Sequence, residues 1–237
     1  MNTAICFAGT GRAIEHTFEN LRKNVIDPFE HRDLIIYIVD SPKATEVKGY
    51  FESVGNAYVH VVKEDLLPVD QYNLVEGFKG TLVARHGPKG PQIFFNMLKS
   101  RSYLNSLIDK TKQKYDRVIF SRMDVKYERP IKESVEKLDL SKLWLPNFHH
   151  WCEGYNDRFA VSSRENMRHY FSVYDHIDIY AKEGHRFNAE PTLKYHLDKK
   201  EVDIGIFELY FSRVRSGGLS HESFEQIKTQ AMRPCTI

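Results

Sequence analysis

The sequence predicts an α/β fold: one domain built on a central, mostly parallel sheet flanked by helices. Three observations carry the prediction. Residues 4–8 and 34–39 are short, unbroken apolar runs, and 117–120 is one after its opening Arg117, the pattern of strands buried on both faces. Helical periodicity follows the first run, with Ile14, Phe18, Leu21 and Val25 spaced by four, three and four. Turn residues close the runs, as in Gly9-Thr10-Gly11-Arg12, Asp27-Pro28 and Asp40-Ser41-Pro42. Strands that alternate with helices need crossovers, and crossovers give parallel neighbours.

The elements follow in order. Residues 4–8 form the first strand, and the helix after it runs to the stop at Asp27-Pro28. Residues 34–39 are the second strand, 45–54 a helix and 57–62 the third strand. Residues 64–91 hold Pro68, Gly77, Gly80, Gly87, Pro88, Gly90 and Pro91 and read mostly as loop, which at this length implies function or motion. A helix begins at Gln92, with Phe95, Leu98, Ser102 and Leu107 near one face, and runs to about residue 113. Strand 117–120 follows, then a short helix at 134–138 and strands at 143–145 and 159–161. Ser163 caps a helix reaching about residue 174. Asn188-Ala189-Glu190-Pro191 opens another, with proline at an early helical position. Residues 202–206 and 210–214 are strands, and Gly217-Gly218 close the folded part. Residues 219–237 are polar, a loose tail or one terminal helix.

Composition excludes several classes. The 237 residues suffice for a hydrophobic core that needs no disulfide or metal. Lys and Arg number 34 against 32 Asp and Glu, a net charge of +2 that does not suit a nucleic-acid partner. Apolar residues at 41% and charged residues at 28% fit a globular chain rather than a disordered one. No run approaches the roughly 18 apolar residues of a membrane span, and the N-terminus lacks the basic start of a signal peptide. Cys6, Cys152 and Cys235 have no zinc-ligand spacing and read as reduced thiols, so a cytoplasmic location is expected.

Five segments carry candidate chemistry. Ala8-Gly9-Thr10-Gly11-Arg12 ends a strand where parallel sheets bind ligands; its glycines admit a ligand to the backbone and Arg12 offers a fork to phosphate. Asp40 ends the next strand and can accept from a ribose hydroxyl or a base. Asp124, just past strand 117–120, can hold Mg²⁺ or Mn²⁺ beside substrate phosphates. The stretch from His149 to Phe159 collects His149, His150, Trp151, Tyr155, Asn156, Asp157 and Arg158, aromatic and polar groups that suit a sugar. Adjacent histidines do not point readily at one metal, so zinc does not fit. Glu190 at a helix start is a capping acid or a general base. Arg213 and Arg215 share one strand face and can meet one diphosphate.

Taken in order, these pieces resemble small GT-A type glycosyltransferases of the bacterial and large-virus kind. The matching residues are Ala8-Gly9-Thr10-Gly11-Arg12, the helix from Thr17 to Asn24 with Asp27-Pro28-Phe29, and the helix start Gln92-Ile93-Phe94-Phe95-Asn96. After them come Tyr115-Asp116, Arg122-Met123-Asp124, Asn156-Asp157-Arg158-Phe159 and Glu190. The resemblance implies a single GT-A (Rossmann-like) domain over 1–218, with a nucleotide-binding half to about 125 and an acceptor half over 126–218. It implies a nucleotide-sugar donor, carried by UDP or GDP, and a glycan acceptor. Donor contacts would come from residues 8–12, Asp40, Gln92, Asn96, Arg122, Asp124, Arg213 and Arg215. Acceptor contacts would come from His149, His150, Trp151, Tyr155, Asn156 and Arg158, and the metal ion, Mn²⁺ or Mg²⁺, would sit on Asp124. The chain departs from the family at Arg122, which stands where an Asp-x-Asp motif has its first acid. Metal binding then rests on Asp124 alone, or arginine contacts to the diphosphate replace it.

An inverting enzyme of this kind needs a base for the acceptor hydroxyl, and Asp157 and Glu190 are the two candidates. A retaining enzyme needs neither in that role. A non-catalytic module that binds sugar or nucleotide is the competing class, and a nucleotidyltransferase is a second enzymatic reading.

Overall fold

Alternating burial builds the sheet. The computed structural model of the protein describes residues 1–63, 67–220 and 222–231. Along β1 (Thr3–Gly9), Ala4 and Cys6 enter one core while Ile5 and Phe7 enter the other. Along β2 (Arg32–Val39), Ile35, Tyr37 and Val39 join the first core and Leu34, Ile36 and Ile38 the second. Both faces are therefore covered, as unbroken apolar strands require.

Between the strands lie α1 (Ile14–Leu21), which runs on as a π-helical turn through Arg22–Ile26, and α2 (Ala44–Glu52). The chain continues through β3 (Ala57–Val62), α3 (Glu76–His86), α4 (Gly90–Lys110), β4 (Arg117–Ser121), β5 (Val125–Tyr127) and α5 (Lys132–Glu136). Then come β6 (Leu143–Pro146), β7 (Phe159–Ser162), α6 (Arg164–Phe171), α7 (Ile177–Lys182) and α8 (Ala189–Lys199). The last elements are β8 (Ile204–Phe207), β9 (Phe211–Arg213) and α9 (Phe224–Ala231).

Seven strands form one sheet in the order β3-β2-β1-β4-β7-β6-β8, and β5 pairs with β9 in a separate ribbon. In that sheet β1 is parallel to both β2 and β4, β2 to β3, and β6 to β8, while the pairs β4–β7 and β6–β7 are antiparallel. The sheet is mostly parallel, as the sequence predicts. The chain winds outward from β1 to β3 and then returns to the other side of β1 at β4. That reversal makes a switch point at the carboxyl ends of β1 and β4, where such sheets hold ligands.

Two expectations need correction. The stretch 64–91 is not mostly loop: α3 occupies Glu76–His86, and α4 begins at Gly90. α3 fully buries none of its residues, so it has no apolar stripe to reveal it. Its signal is charge instead, with Glu76 in the first turn and Arg85 and His86 in the last, each suited to the helix dipole. Of the two alternatives for the C-terminal segment, a helix is the one observed: α9 packs the fully buried Ile227 into the core. Residues 64–66, 221 and 232–237, with Cys235 among them, lie outside the described residues. Cys6 and Cys152 are free thiols, and no helix among the described residues is long and apolar enough to cross a membrane.

Candidate active site

A cavity of about 660 Å³ opens at the switch point. Ala8, Gly9, Thr10 and Arg12 reach it from the end of β1, and Arg122 from the end of β4. Arg213 and Arg215 enter from the β5–β9 ribbon, whose pairing of Val125 with Arg213 and bond from Val214 N to Asp124 O (2.8 Å) fix them beside β4. α4 contributes Asn96, Ser100 and Arg101, and α8 contributes Glu190. Phe78, Leu82, Phe94 and Met97 supply an apolar portion of the wall.

Three ion pairs, one of them fully buried, organise the polar part. Arg101 is 3% exposed and donates from Nη2 to both the backbone oxygen and Oδ2 of Asp157, each at 2.7 Å. Burial acts to raise the Asp157 carboxyl, but the guanidinium groups of Arg101, Arg158 and Arg122 overcome it and hold the group well below the usual carboxylate range. Arg122 grips Asp124 with two bonds, Nε to Oδ1 at 2.7 Å and Nη2 to Oδ2 at 2.8 Å. The third pair is looser: Arg158 Nη2 reaches Glu190 Oε1 at 3.3 Å. Burial first, and the negative charge of Asp157 second, push the Glu190 carboxyl up to about 7 against the pull of Arg158. The two acids thus diverge, one locked as an anion and the other poised near neutral pH, the pattern of groups with separate tasks.

The remaining arginines are not neutralised. Arg12, Arg85, Arg213 and Arg215 line the cavity with no side-chain hydrogen bond or ion pair among the described residues. Burial, and then repulsion from Arg122, Arg215 and Arg158, push Arg213 down to about 10, still a cation at neutral pH. Nearby donors also lack partners: Asn96 Nδ2 and Arg158 Nη1 are buried without one. The wall therefore presents spare positive charge to whatever enters.

The mouth of the cavity is strained. His149, Cys152 and Glu153 all adopt left-handed backbone, with φ of 57°, 52° and 60°, at a cost of roughly 1–3 kcal/mol each. Trp151, 49% exposed, stacks on the His149 ring at 5.4 Å, and His149 Nε2 stands 2.9 Å from Glu222. Gly154 admits a close approach, since a Cβ there would lie 2.1 Å from the backbone carbon of Glu190.

A family model matches residues 1–218, described as a domain of unknown function, DUF7796. The chain belongs to this family. No curated protein matches it in sequence. Among solved structures, this DUF7796 chain is similar to core-mannan synthase A from Aspergillus fumigatus in its Mn/GDP form. The TM-score is 0.55 at 11% identity, over 96% of this chain and 82% of the other. GlyE from Streptococcus pneumoniae TIGR4, in its apo form, gives 0.47 at 14% identity, over 86% of this chain and 45% of that one. Mouse xyloside xylosyltransferase 1, apo form, gives 0.45 at 15% identity, over 87% and 84%. The fold is that of the GT-A type glycosyltransferases, as the resemblance implies.

The residues singled out in the sequence separate into two sets. Ala8, Gly9, Thr10, Arg12, Asn96, Arg122, His149, Trp151, Asp157, Arg158, Glu190, Arg213 and Arg215 converge on the cavity. The others do not line it. Gly11, at φ 60°, packs against Val47 of α2 and leaves no room for a Cβ. Asp40 is exposed at the end of β2. Gln92 bonds to Asn96 and to the Leu67 N–H. His150 contacts the Pro146 carbonyl, Asn156 donates to the Phe148 carbonyl, and Tyr155 lies under Lys194. Asp124 stands behind Arg122 rather than on the wall.

That placement bears on the implied metal. Both oxygens of Asp124 are taken by Arg122, and the next charged groups around it are Arg213 and Arg12. Among the described residues no three His, Cys, Asp or Glu side chains are grouped to hold an ion. A single carboxylate already bonded to one guanidinium and ringed by others is a poor donor set for Mn²⁺ or Mg²⁺, which would have to compete with Arg122 for its oxygens. Sequence reading also missed Arg101, Asn188 and Glu222, all on the cavity wall. Arg101 had a signal: it interrupts the apolar stripe Phe94, Leu98, Leu104 and Ile108 of α4, and a charge there needs a buried partner.

Proposed function

We propose that the protein is a glycosyltransferase that moves a sugar from a nucleoside-diphosphate sugar to a hydroxyl of a glycan acceptor. One observation carries this reading: a single cavity holds both an uncompensated arginine wall and a buried carboxyl pushed up to about 7. The arginines suit a diphosphate leaving group, whose charge grows as its bond to the sugar breaks. Glu190 suits a general base. Its proton affinity lies near working pH, where a base combines readiness with driving force.

In this reading Asp157 is not the base. Its carboxylate is fixed by Arg101 and held well below the usual range, so it takes a proton poorly. Its task is to orient Arg101 and to raise Glu190 by its charge. The acceptor oxygen attacks the anomeric carbon and its proton passes to Glu190. The carbon–oxygen bond to the diphosphate breaks, and the leaving oxygen draws on the arginine wall. Attack from the side opposite the leaving group inverts the anomeric centre. Trp151 and the strained loop around it offer a face for the acceptor sugar.

A panel of UDP- and GDP-linked hexoses and pentoses tests the proposal, read first by thermal shift and then by release of nucleoside diphosphate. At least one donor should stabilise the protein and be turned over when acceptor is supplied. If no donor shifts the melting temperature and none is cleaved, the reading is wrong.

A further inference from the structure

The charges at the switch point are arranged for an anion, and the group that would hold a cation is already occupied. Arg12 comes from the end of β1, Arg122 from the end of β4, and Arg213 and Arg215 from the β9 segment, so three distant parts of the chain converge on one wall. Asp124, the one carboxylate at that end of β4, spends both oxygens on Arg122 at 2.7 and 2.8 Å. The other acids near the wall are also engaged: Asp157 with Arg101, Glu190 with Arg158 and Glu222 with His149. A divalent ion placed here would meet guanidinium groups on most sides.

We propose that the pyrophosphate of the donor is held, and its leaving-group charge stabilised, by Arg12, Arg213 and Arg215 in place of a divalent cation. The inference rests on the nucleotide-sugar reading above and goes beyond it by assigning the charge-stabilising step to side chains alone. Arg122 takes part as a positioned cation: the bidentate grip of Asp124 fixes its planar fork at the cavity wall. Burial first, and repulsion from Arg122, Arg215 and Arg158 second, lower the proton affinity of Arg213, and an entering anion relieves the repulsive part.

Calorimetry with inorganic pyrophosphate, UDP and GDP, each in EDTA and in Mn²⁺, tests this with the intact protein and needs no turnover. Affinity in EDTA should be at least as high as in Mn²⁺, which chelates the diphosphate and competes with the arginines, and should weaken as salt rises, because the contacts are ionic. Arg213→Met and Arg215→Met should each weaken pyrophosphate by about 10-fold or more, the usual loss for a hydrogen bond to a charged group. Both variants should melt no lower than the parent, because each removes one of several repelling cations; this separates lost binding from lost folding. Binding seen only with Mn²⁺ and abolished by EDTA would overturn the inference while leaving the glycosyltransferase reading in place. Absence of binding by all three probes in both conditions would overturn the two together. Unchanged affinity in both arginine variants would also refute the arginine assignment.

Discussion

Replacing Glu190 by glutamine should stabilise the protein above neutral pH while stopping turnover. The side chain is 7% exposed, close to the Asp157 anion, and only loosely held by Arg158 at 3.3 Å. Its carboxyl rises from 4.5 to about 7 on folding, through burial first and Asp157 second. At 1.36 kcal/mol per tenfold change in proton affinity, ionising it in the folded state costs on the order of 3 kcal/mol. The sign follows from linkage. Below pH 4.5 the group is protonated folded and unfolded, and costs nothing. Between 4.5 and about 7 the unfolded chain ionises and the folded one does not, so stability is lost as pH rises, and above 7 the loss is complete. Glutamine carries no such cost. Allowing for a weaker contact with Arg158, Glu190→Gln should gain about 1–3 kcal/mol at pH 8 and nothing near pH 4.5. That gain raises the melting temperature by roughly 2–4 °C per kcal/mol for a chain of this size. Urea unfolding of parent and variant from pH 4.5 to 8.5 measures the difference directly. On the activity side, the parent's turnover should rise with pH around 7, and the variant should keep donor affinity while losing roughly 10²–10⁴-fold in turnover. A stability difference that does not vary with pH, or a variant less stable than the parent at pH 8, refutes the argument that Glu190 is held at high proton affinity.

Two further outcomes follow from the same geometry. Arg101→Met should cost about 3–5 kcal/mol in thermal or urea unfolding, because it strands the buried Asp157 anion; adding Asp157→Asn should recover part of that loss. Gly154→Ala should lower turnover more than tenfold and cost roughly 1–3 kcal/mol of stability, since its Cβ would lie 2.1 Å from the Glu190 backbone and 2.2 Å from Pro191 N. Steady-state rates and a melting curve check it, and a variant with parental rates would show that the start of α8 need not be held where it is.

The sheet was legible because its physics is local. A strand buried on both faces must be apolar throughout, so β1, β2 and β4 announce themselves, and the turns at their ends mark where a ligand can lie. α3 was not legible, because a helix that rests on the surface of its domain needs no stripe, and Gly77 and Gly80 argue against it. The loop from His149 to Arg158 was legible as a site but not residue by residue. Neighbouring side chains in a tight loop point different ways, so Trp151 and Arg158 face the cavity while His150 and Asn156 turn inward to hold the Pro146 and Phe148 carbonyls. Arg101 and Glu222 lie 56 and 65 residues in sequence from Asp157, and only the tertiary fold brings them to one wall.

The Arg-x-Asp segment shows how one residue inverts the character of a site. Arg122 and Asp124 flank the bend between β4 and β5, so their side chains are neighbours by local geometry alone. Two acids there would repel each other and invite a cation between them. With arginine first, the pair satisfies itself, and its fork-to-carboxylate geometry is among the strongest a protein makes. The carboxylate is then shared with a guanidinium, and the net charge of the pair rises from −2 to zero. Asp124 still attracts Arg213 and Arg215, but its charge is already matched by Arg122, so the wall carries net positive charge. In the proposed reading, a site for a cation bridging protein and phosphate becomes a site for the phosphate itself.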